Sequence, residues 1–335
     1  MTGSPGAATG SSRLRAIADA FHRGDVGGLA QAISVVEKGG APLAELLALL
    51  PQGRPATPSV GITGPPGAGK STLVDAMVRL LRADGRTVGV LAVDPSSPFT
   101  GGAFLGDRVR MAGHSTDSGV FIRSMGARGH SGGLSLAAAD AIWVLRSFGF
   151  DEVLVETVGV GQSELALRSV VDTTVVVVPP EAGDQIQMAK AGIMEVADVF
   201  VVNKGDLPGA SRTAADLRGS VRLRPADRWR PPVVTTVANR PDESHAALWE
   251  AVAQHRAHLV ASPVDEDRGR ERTAEAVADM VAVATREWVR RLLAQDEQLG
   301  DALEGGVAPY LVARQICDRL SVPLHDASLD LTAKR

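Results

Sequence analysis

The 335 residues include a single cysteine, Cys317. That excludes an intramolecular disulfide and any cysteine-rich metal site, and it suits a reducing compartment. No apolar run approaches the ~20 residues that a membrane-spanning helix requires. Neither sign of charge is in large excess: 35 Lys and Arg stand against 39 Asp and Glu, a net charge of −4. A general nucleic-acid binder would carry a basic footprint that is missing here. No repeat of solenoid period is present. Residues 1–12, rich in Gly, Ala, Ser and Thr, hold no apolar run of a secretory signal and read as a disordered tail. A cytoplasmic location is expected. What remains is ordinary for a globular protein with a core, 44% hydrophobic and 22% charged. The length allows two domains, or one large α/β domain with additions.

The sequence is organised around Val60 to Thr72, VGITGPPGAGKST. Gly64-Pro65-Pro66-Gly67-Ala68-Gly69-Lys70-Ser71 fits G-x-x-x-x-G-K-[ST], the phosphate-binding loop. An apolar run leads in and a helical pattern leads out, which is the strand–turn–helix setting the motif needs. The glycines let backbone N–H groups converge on phosphate oxygens at the positive end of a helix. Lys70 would reach the β- and γ-phosphates, and Ser71 would give an oxygen to Mg²⁺.

Before this motif, residues 13–57 read as a helical prefix. Leu14, Ile17, Ala18 and Phe21 share one face, and a glycine break at Gly24, Gly27 and Gly28 separates them from Leu29, Ile33 and Val36. Leu43, Leu46, Leu47 and Leu50 form another stripe, followed by a Pro-rich linker. Residues 58–262 alternate strand and helix. Strands are expected at Val60–Thr63, Val88–Val93, Val120–Ile122, Glu152–Glu156, Thr173–Val178, Val199–Val202 and Val233–Val237. Continuous Val/Ile/Leu runs are typical of parallel strands covered on both faces. The fold class is therefore α/β, a doubly wound and mostly parallel sheet with ligands at the carboxyl ends of its strands. Residues 263–335 form a helical extension. One long helix is expected over Glu271 to Gln298, with Ala274, Val277, Met280, Val281 and Trp288 on its apolar face, and Leu311, Ile316 and Leu320 follow on another. It serves either as a dimer arm or as a segment folded back on its own domain.

Asn203-Lys204-Gly205-Asp206 follows the strand Val199–Val202 and fits [NT]-K-x-D. Guanine offers two adjacent donors, N1–H and N2–H₂, and one carboxylate at Asp206 accepts both. Adenine has no such pair, so an unpaired Asp206 would penalise ATP. The methylenes of Lys204 would cover the base, and Asn203 would tie this loop to the phosphate loop. Thr236-Val237-Ala238 would lie beside the base, with a backbone N–H near the guanine O6.

Three acids fall at strand ends or in adjoining loops where Mg²⁺ could find oxygen ligands: Asp94, Asp107 and Glu156. Gly159, three residues beyond Glu156, could present its N–H to the γ-phosphate and sense its loss. The catalytic residue is less legible. Lys70 and Mg²⁺ can offset developing charge without a dedicated base. Arg110 either approaches the phosphates or is a surface arginine. Gln162 is the glutamine nearest to Gly159 and is the candidate for positioning water in a partner-bound state. Slow intrinsic hydrolysis is expected.

The set GPPGAGKST, VDPSSPFTGGAFLGDRVRM, FIRSMGARGHSGGLS, VLVETVGVGQSE, GDQIQMAKAGIMEVAD and NKGD resembles the MeaB/ArgK group of P-loop GTPases. These are G-protein chaperones of adenosylcobalamin-dependent methylmalonyl-CoA mutase. The resemblance runs from about Leu14 to the C-terminus and is densest from Val60 to Asp206. It implies that Ser71, Asp94, Asp107 and Glu156 form the magnesium site. It also implies that Gly183 to Lys190, with Asp184, Gln185 and Lys190, is a switch loop facing the mutase, and that the C-terminal helices make a homodimer. The implied function couples GTP hydrolysis to loading and protection of adenosylcobalamin in the mutase, or in a related acyl-CoA mutase. The chain departs from the group at Gly205, where alanine is frequent, in the arginine- and proline-rich stretch Ser211 to Pro232, and at Thr236-Val237-Ala238.

Two other readings remain. A nickel-insertion GTPase would want Cys and His ligands, but this chain has only Cys317 and seven dispersed histidines. His255 and His258 read as a solvated pair on one helix face. Alternatively, a GTP-holding module with negligible turnover would act through its bound state.

Overall fold

The computed structural model describes residues 5–53, 57–95, 112–114, 116–127, 136–157, 163–180, 194–225, 228–240, 243–261 and 263–320. The expectations at Asp107, Arg110, Gly159 and Gln162 and along Gly183 to Lys190 lie outside these residues, as does the carboxylate of Asp94.

Seven strands form one wholly parallel sheet: β1 (Ser59–Thr63), β2 (Val88–Pro95), β3 (Val120–Ala127), β4 (Glu152–Thr157), β5 (Thr173–Val178), β6 (Val199–Val202) and β7 (Val233–Thr235). Their spatial order is β3-β2-β4-β1-β5-β6-β7. The chain therefore reverses direction across the sheet beside β1, the switch point at which doubly wound folds bind ligands. All seven expected strands are present.

Alternation along the strands decides which helices cover which face. Val88 and Val90 of β2, Leu154 of β4 and Val175 and Val177 of β5 pack with α4 (Lys70–Ala83) and with Leu248, Ala251 and Val252. Leu91, Val93, Val153 and Val155 point to the other face. There they meet α1 (Pro5–His22), α2 (Val26–Lys38), α3 (Ala41–Leu49), α5 (Leu136–Phe148) and α6 (Ser163–Val170). Val176, Val178, Phe200 and Val202 pack against α7 (Ala210–Arg222). The helical prefix is thus continuous with the sheet's own core.

Two details of the prefix differ from the sequence reading. Helix α1 begins at Pro5, so residues 5–12 are helical and not a tail. Proline suits a first turn, and the alanines that follow favour helix. The break between α1 and α2 is centred on Asp25, which caps α2 by accepting from Gly27 N (2.8 Å). Gly27 and Gly28 lie inside α2. A Cβ on Gly28 would sit 2.7 Å from Ala20 Cβ, so this glycine permits the two helices to touch.

After β7 come α8 (Glu243–Ala261) and α9 (Pro263–Gln295). The chain divides into compact units at Thr273/Ala274. In the second unit, α9 stops at Asp296, short of the expected Gln298. Asp296 caps α10 (Glu297–Glu304) through Leu299 N and pairs with Arg319 of α11 (Pro309–Leu320). The unit's small core is Leu299, Val312 and Ile316, packed with Val289, Leu292 and Leu293. Val312, not Leu311, joins Ile316 inside because the two are four residues apart on one helix face. Val277, Val281 and Trp288 are exposed. No helix among the described residues is long and apolar enough to cross a membrane.

Candidate functional site

The phosphate-binding loop leaves β1 at Thr63 and enters α4 at Lys70. Gly64 has φ +141°, and a Cβ there would lie 2.0 Å from the carbonyl oxygen of Val177 on the neighbouring strand. Gly69 has φ +89°, and a Cβ there would meet Asn203 Nδ2 at 2.3 Å. Both positions need glycine for backbone shape and for space together. Gly64→Ala is accordingly expected to destabilise the protein by about 3 kcal/mol and to abolish nucleotide binding. Thermal unfolding and GDP titration check this, and an unchanged Tm would contradict it.

Lys70 is buried, and its Nζ donates to the carbonyls of Gly64 (2.8 Å) and Pro65 (3.1 Å). Its ammonium thus lies over the loop where phosphate oxygens would bind. Ser71 Oγ donates to Glu156 Oε1 at 2.6 Å. Glu156 is buried near the end of β4, its Cα paired with Ile62 on one side and Ala92 on the other. The backbone of Asp94 lies two residues beyond Ala92 in the same strand.

The Asn203-Lys204-Gly205-Asp206 turn follows β6 on the same edge of the sheet. Asn203 is 2% exposed. Its Nδ2 donates to Ala68 O (2.8 Å), and its Oδ1 accepts from Ala238 N (3.1 Å) and Thr236 Oγ1 (3.2 Å). One side-chain amide therefore joins the phosphate loop, the turn after β6 and the segment after β7. Within the Thr236-Val237-Ala238 segment, the Ala238 N–H is thus committed to Asn203. Lys204 adopts φ +57°, the one positive value at a non-glycine residue among the described residues. Such a conformation is costly for a side-chain-bearing residue and is characteristic of functional turns. A Cβ on Gly205 would lie 2.5 Å from Thr235 Cγ2, which accounts for glycine at this position. Asp206 remains partly exposed, with Arg240 3.7 Å from its Oδ2.

These elements enclose a cleft of about 340 Å³ lined by Gly69, Thr72, Asn203, Lys204, Asp206 and Ala238, together with Leu207 and Asn239. Its volume suits a small ligand. The fold thus brings the phosphate loop and the Asp206 turn to one cavity across about 130 residues of sequence. Leu207, Asn239 and Arg240 were not foreseen. Their only sequence signal is adjacency to Asp206 and Ala238. The pairing of His255 and His258 also differs from expectation. His255 is buried, hydrogen-bonded to Thr173 Oγ1 (3.0 Å), and both rings pack on Trp229. His255 is thus buried at the opposite edge of the sheet, and His258 is half-buried beside it. No cluster of His, Cys, Asp and Glu able to hold a metal occurs among the described residues.

Comparison with known proteins agrees with this geometry. Residues 29–293 match the profile of a family described as "Methylmalonyl Co-A mutase-associated GTPase MeaB". A Mycobacterium tuberculosis protein named as a probable GTPase is 39% identical over 318 residues, 90% of this chain and 94% of that one. The mouse mitochondrial methylmalonic aciduria type A homolog is 39% identical over 216 residues, 63% of this chain and 52% of that one. A crystal structure of a LAO/AO transport system kinase superposes with a TM-score of 0.67 at 26% identity, covering 93% of this chain and 98% of that one. With a seven-stranded parallel sheet and with the phosphate-binding loop and the Asn203-Lys204-Gly205-Asp206 turn on one edge, the chain belongs to the MeaB family of methylmalonyl-CoA mutase-associated GTPases and hydrolyses GTP.

Proposed function

We propose that this GTPase uses its nucleotide state to gate the loading and protection of adenosylcobalamin in a methylmalonyl-CoA mutase or a related acyl-CoA mutase. The single observation that carries the nucleotide side of this reading is the Asn203 side chain. It joins the phosphate loop at Ala68 to the turn bearing Asp206. Phosphates would lie on the loop from Gly64 to Thr72, covered by Lys70. The base would lie against Lys204, with Asp206 accepting its two N–H donors and Val237 and Ala238 beside it.

The donor set at the loop's exit fits Mg²⁺. Ser71 Oγ and Glu156 Oε1 are hard oxygen ligands already 2.6 Å apart, and Asp94 is in the adjacent strand. Ser71, Asp94, Asp107 and Glu156 would hold the ion, which when bound would neutralise charge on the β- and γ-phosphates. Lys70 would balance the charge developing on the bridging oxygen, with Arg110 approaching the phosphates. Gln162 would orient water once a partner orders its loop, and Gly159 would report loss of the γ-phosphate. Gly183 to Lys190 would meet the mutase. The unit from Ala274 onward would form the homodimer arm, for which the exposed Val277, Val281 and Trp288 offer an apolar face. The cytoplasm is the proposed site of action.

The decisive experiment measures GTP hydrolysis with Mg²⁺, alone and after addition of a purified adenosylcobalamin-dependent acyl-CoA mutase. A marked rise is expected. No rise, with GTP still bound, would remove the mutase from this reading and leave the GTPase intact. The base assignment has its own test. Asp206→Asn is expected to weaken GTP by about 100-fold, since a charge-assisted bidentate contact is lost, and to relax preference toward xanthine nucleotide. Unchanged guanine preference would sink the assignment of Asp206.

A further inference from the structure

Arg224, Pro225, Arg228 and Trp229, after α7, do not line the nucleotide cleft and instead help to line a second cavity of about 350 Å³. This cavity lies at the amino edge of the sheet, beside Asp198, which immediately precedes β6. Asn203 ends the same strand at the opposite edge, five residues and about 16 Å away. The two cavities are therefore separate sites.

Three arginines from two elements line the cavity: Arg168 from α6, and Arg224 and Arg228 from the segment after α7. Its wall is rigid. Trp229 Nε1 donates to Asp198 O (2.7 Å), and the indole stacks on His258 with ring centroids 5.0 Å apart. Asp198 is engaged elsewhere, with Oδ2 accepting from Thr174 N (2.9 Å) and Oδ1 3.5 Å from His255 Nε2. Glu195 also lines the cavity, but it is exposed to solvent. Among the described residues, no carboxylate lies within ion-pair distance of Arg224 or Arg228. Arg224 instead donates to the carbonyls of Met194 and Trp229. Burial, and then the neighbouring Arg168 guanidinium, pull Arg224 below the usual guanidinium range, and the Asp198 and Glu195 carboxylates only partly oppose them. A half-buried guanidinium held by carbonyls beside a second guanidinium is a site that gains from an anion.

We propose that this amino-edge cavity is a second ligand site, taking the phosphate group of a small phosphorylated molecule on Arg224 and Arg228. Planar guanidinium forks match phosphate oxygens bidentately, and the cavity has room for a monoester.

The test uses the full chain saturated with GDP and Mg²⁺, so that the phosphate loop is filled. Inorganic phosphate and phenyl phosphate are titrated by calorimetry. Saturable binding of one equivalent is expected. Arg224→Gln should weaken it about tenfold, the loss of one charge-assisted fork, and Arg228→Ala severalfold. Arg222→Ala, on the exposed face of α7 away from the cavity, should leave it unchanged. Binding of phenyl phosphate but not inorganic phosphate would identify an organic monoester; binding of both would identify the phosphate group itself as sufficient. Lack of saturable binding of either probe would overturn the site. So would binding that Arg228→Ala leaves intact, an outcome readable even if Arg224→Gln fails to fold. GDP affinity, measured in each variant, reports on the nucleotide cleft separately.

Discussion

Lys70→Ala should lower kcat for GTP by about 10²–10³-fold, the range expected when one preorganised positive group is removed from a developing charge. In the structure its ammonium is held by the carbonyls of Gly64 and Pro65, so it is positioned by the loop itself and not by a flexible neighbour. Those two bonds are short-range and local, and their loss should barely change the thermal stability of the sheet. Lys70→Arg separates charge from shape. A guanidinium is too broad to sit over the same two carbonyls, so activity should not return. GDP affinity would fall less than kcat if the lysine acts mainly on the transition state. If Lys70→Ala retained kcat within a few-fold of the parent, the charge offset must come from elsewhere. Arg110 would then be the residue to examine.

Glu152→Gln should cost about 2–4 kcal/mol of stability while sparing GTP hydrolysis measured well below Tm. Glu152 is 2% exposed at the start of β4. Both of its oxygens are taken by Arg256 (2.9 and 2.7 Å), and Arg86 adds a third bond at 3.1 Å. The two guanidiniums lie 5.1 and 5.8 Å from the Trp249 ring centroid. This network joins α8 to the centre of the sheet. Neutralising the carboxylate leaves two cations facing each other with no anion between them. The expected loss is kept below that of a fully buried pair because Arg86 and Arg256 can partly regain water. Arg86→Ala alone should cost below about 1 kcal/mol, since that side chain is the more exposed of the two. Chemical denaturation compares the three proteins. Equal midpoints for Glu152→Gln and the parent would show that the network contributes no stability.

Local pattern was enough for the strands and for the chemistry of the loop. Val175 to Val178 reads as a strand covered on both faces because an unbroken apolar run has no solvent side. GPPGAGKS reads as a phosphate loop because its glycines and lysine are contiguous. The Asn203 to Asp206 turn was legible for the same reason, as four residues that follow an apolar strand. Each of these depends on neighbours in sequence, which is the range over which backbone propensity and side-chain spacing act.

Contacts between distant segments needed the fold. Nothing local shows that Asn203 directs its amide to Ala68 and its carbonyl oxygen to the Ala238 N–H. The same holds for His255, which as a residue on a polar helix suggested a solvated face. It is buried because α8 lays that turn over Thr173 and Trp229. Residues 5–12 read as a tail because Gly, Ala, Ser and Thr offer no apolar face, yet the same proline and alanines suit the first turns of a helix. The arginines after α7 showed in sequence only a stretch that departs from the family group, until the parallel order of β5 and β6 gathered Arg168, Arg224 and Arg228 around one cavity. The sequence by itself therefore determined the class of fold and the nucleotide chemistry. Tertiary structure alone decided which side chains meet, because a parallel sheet places beside one another residues that the chain holds tens to hundreds of positions apart.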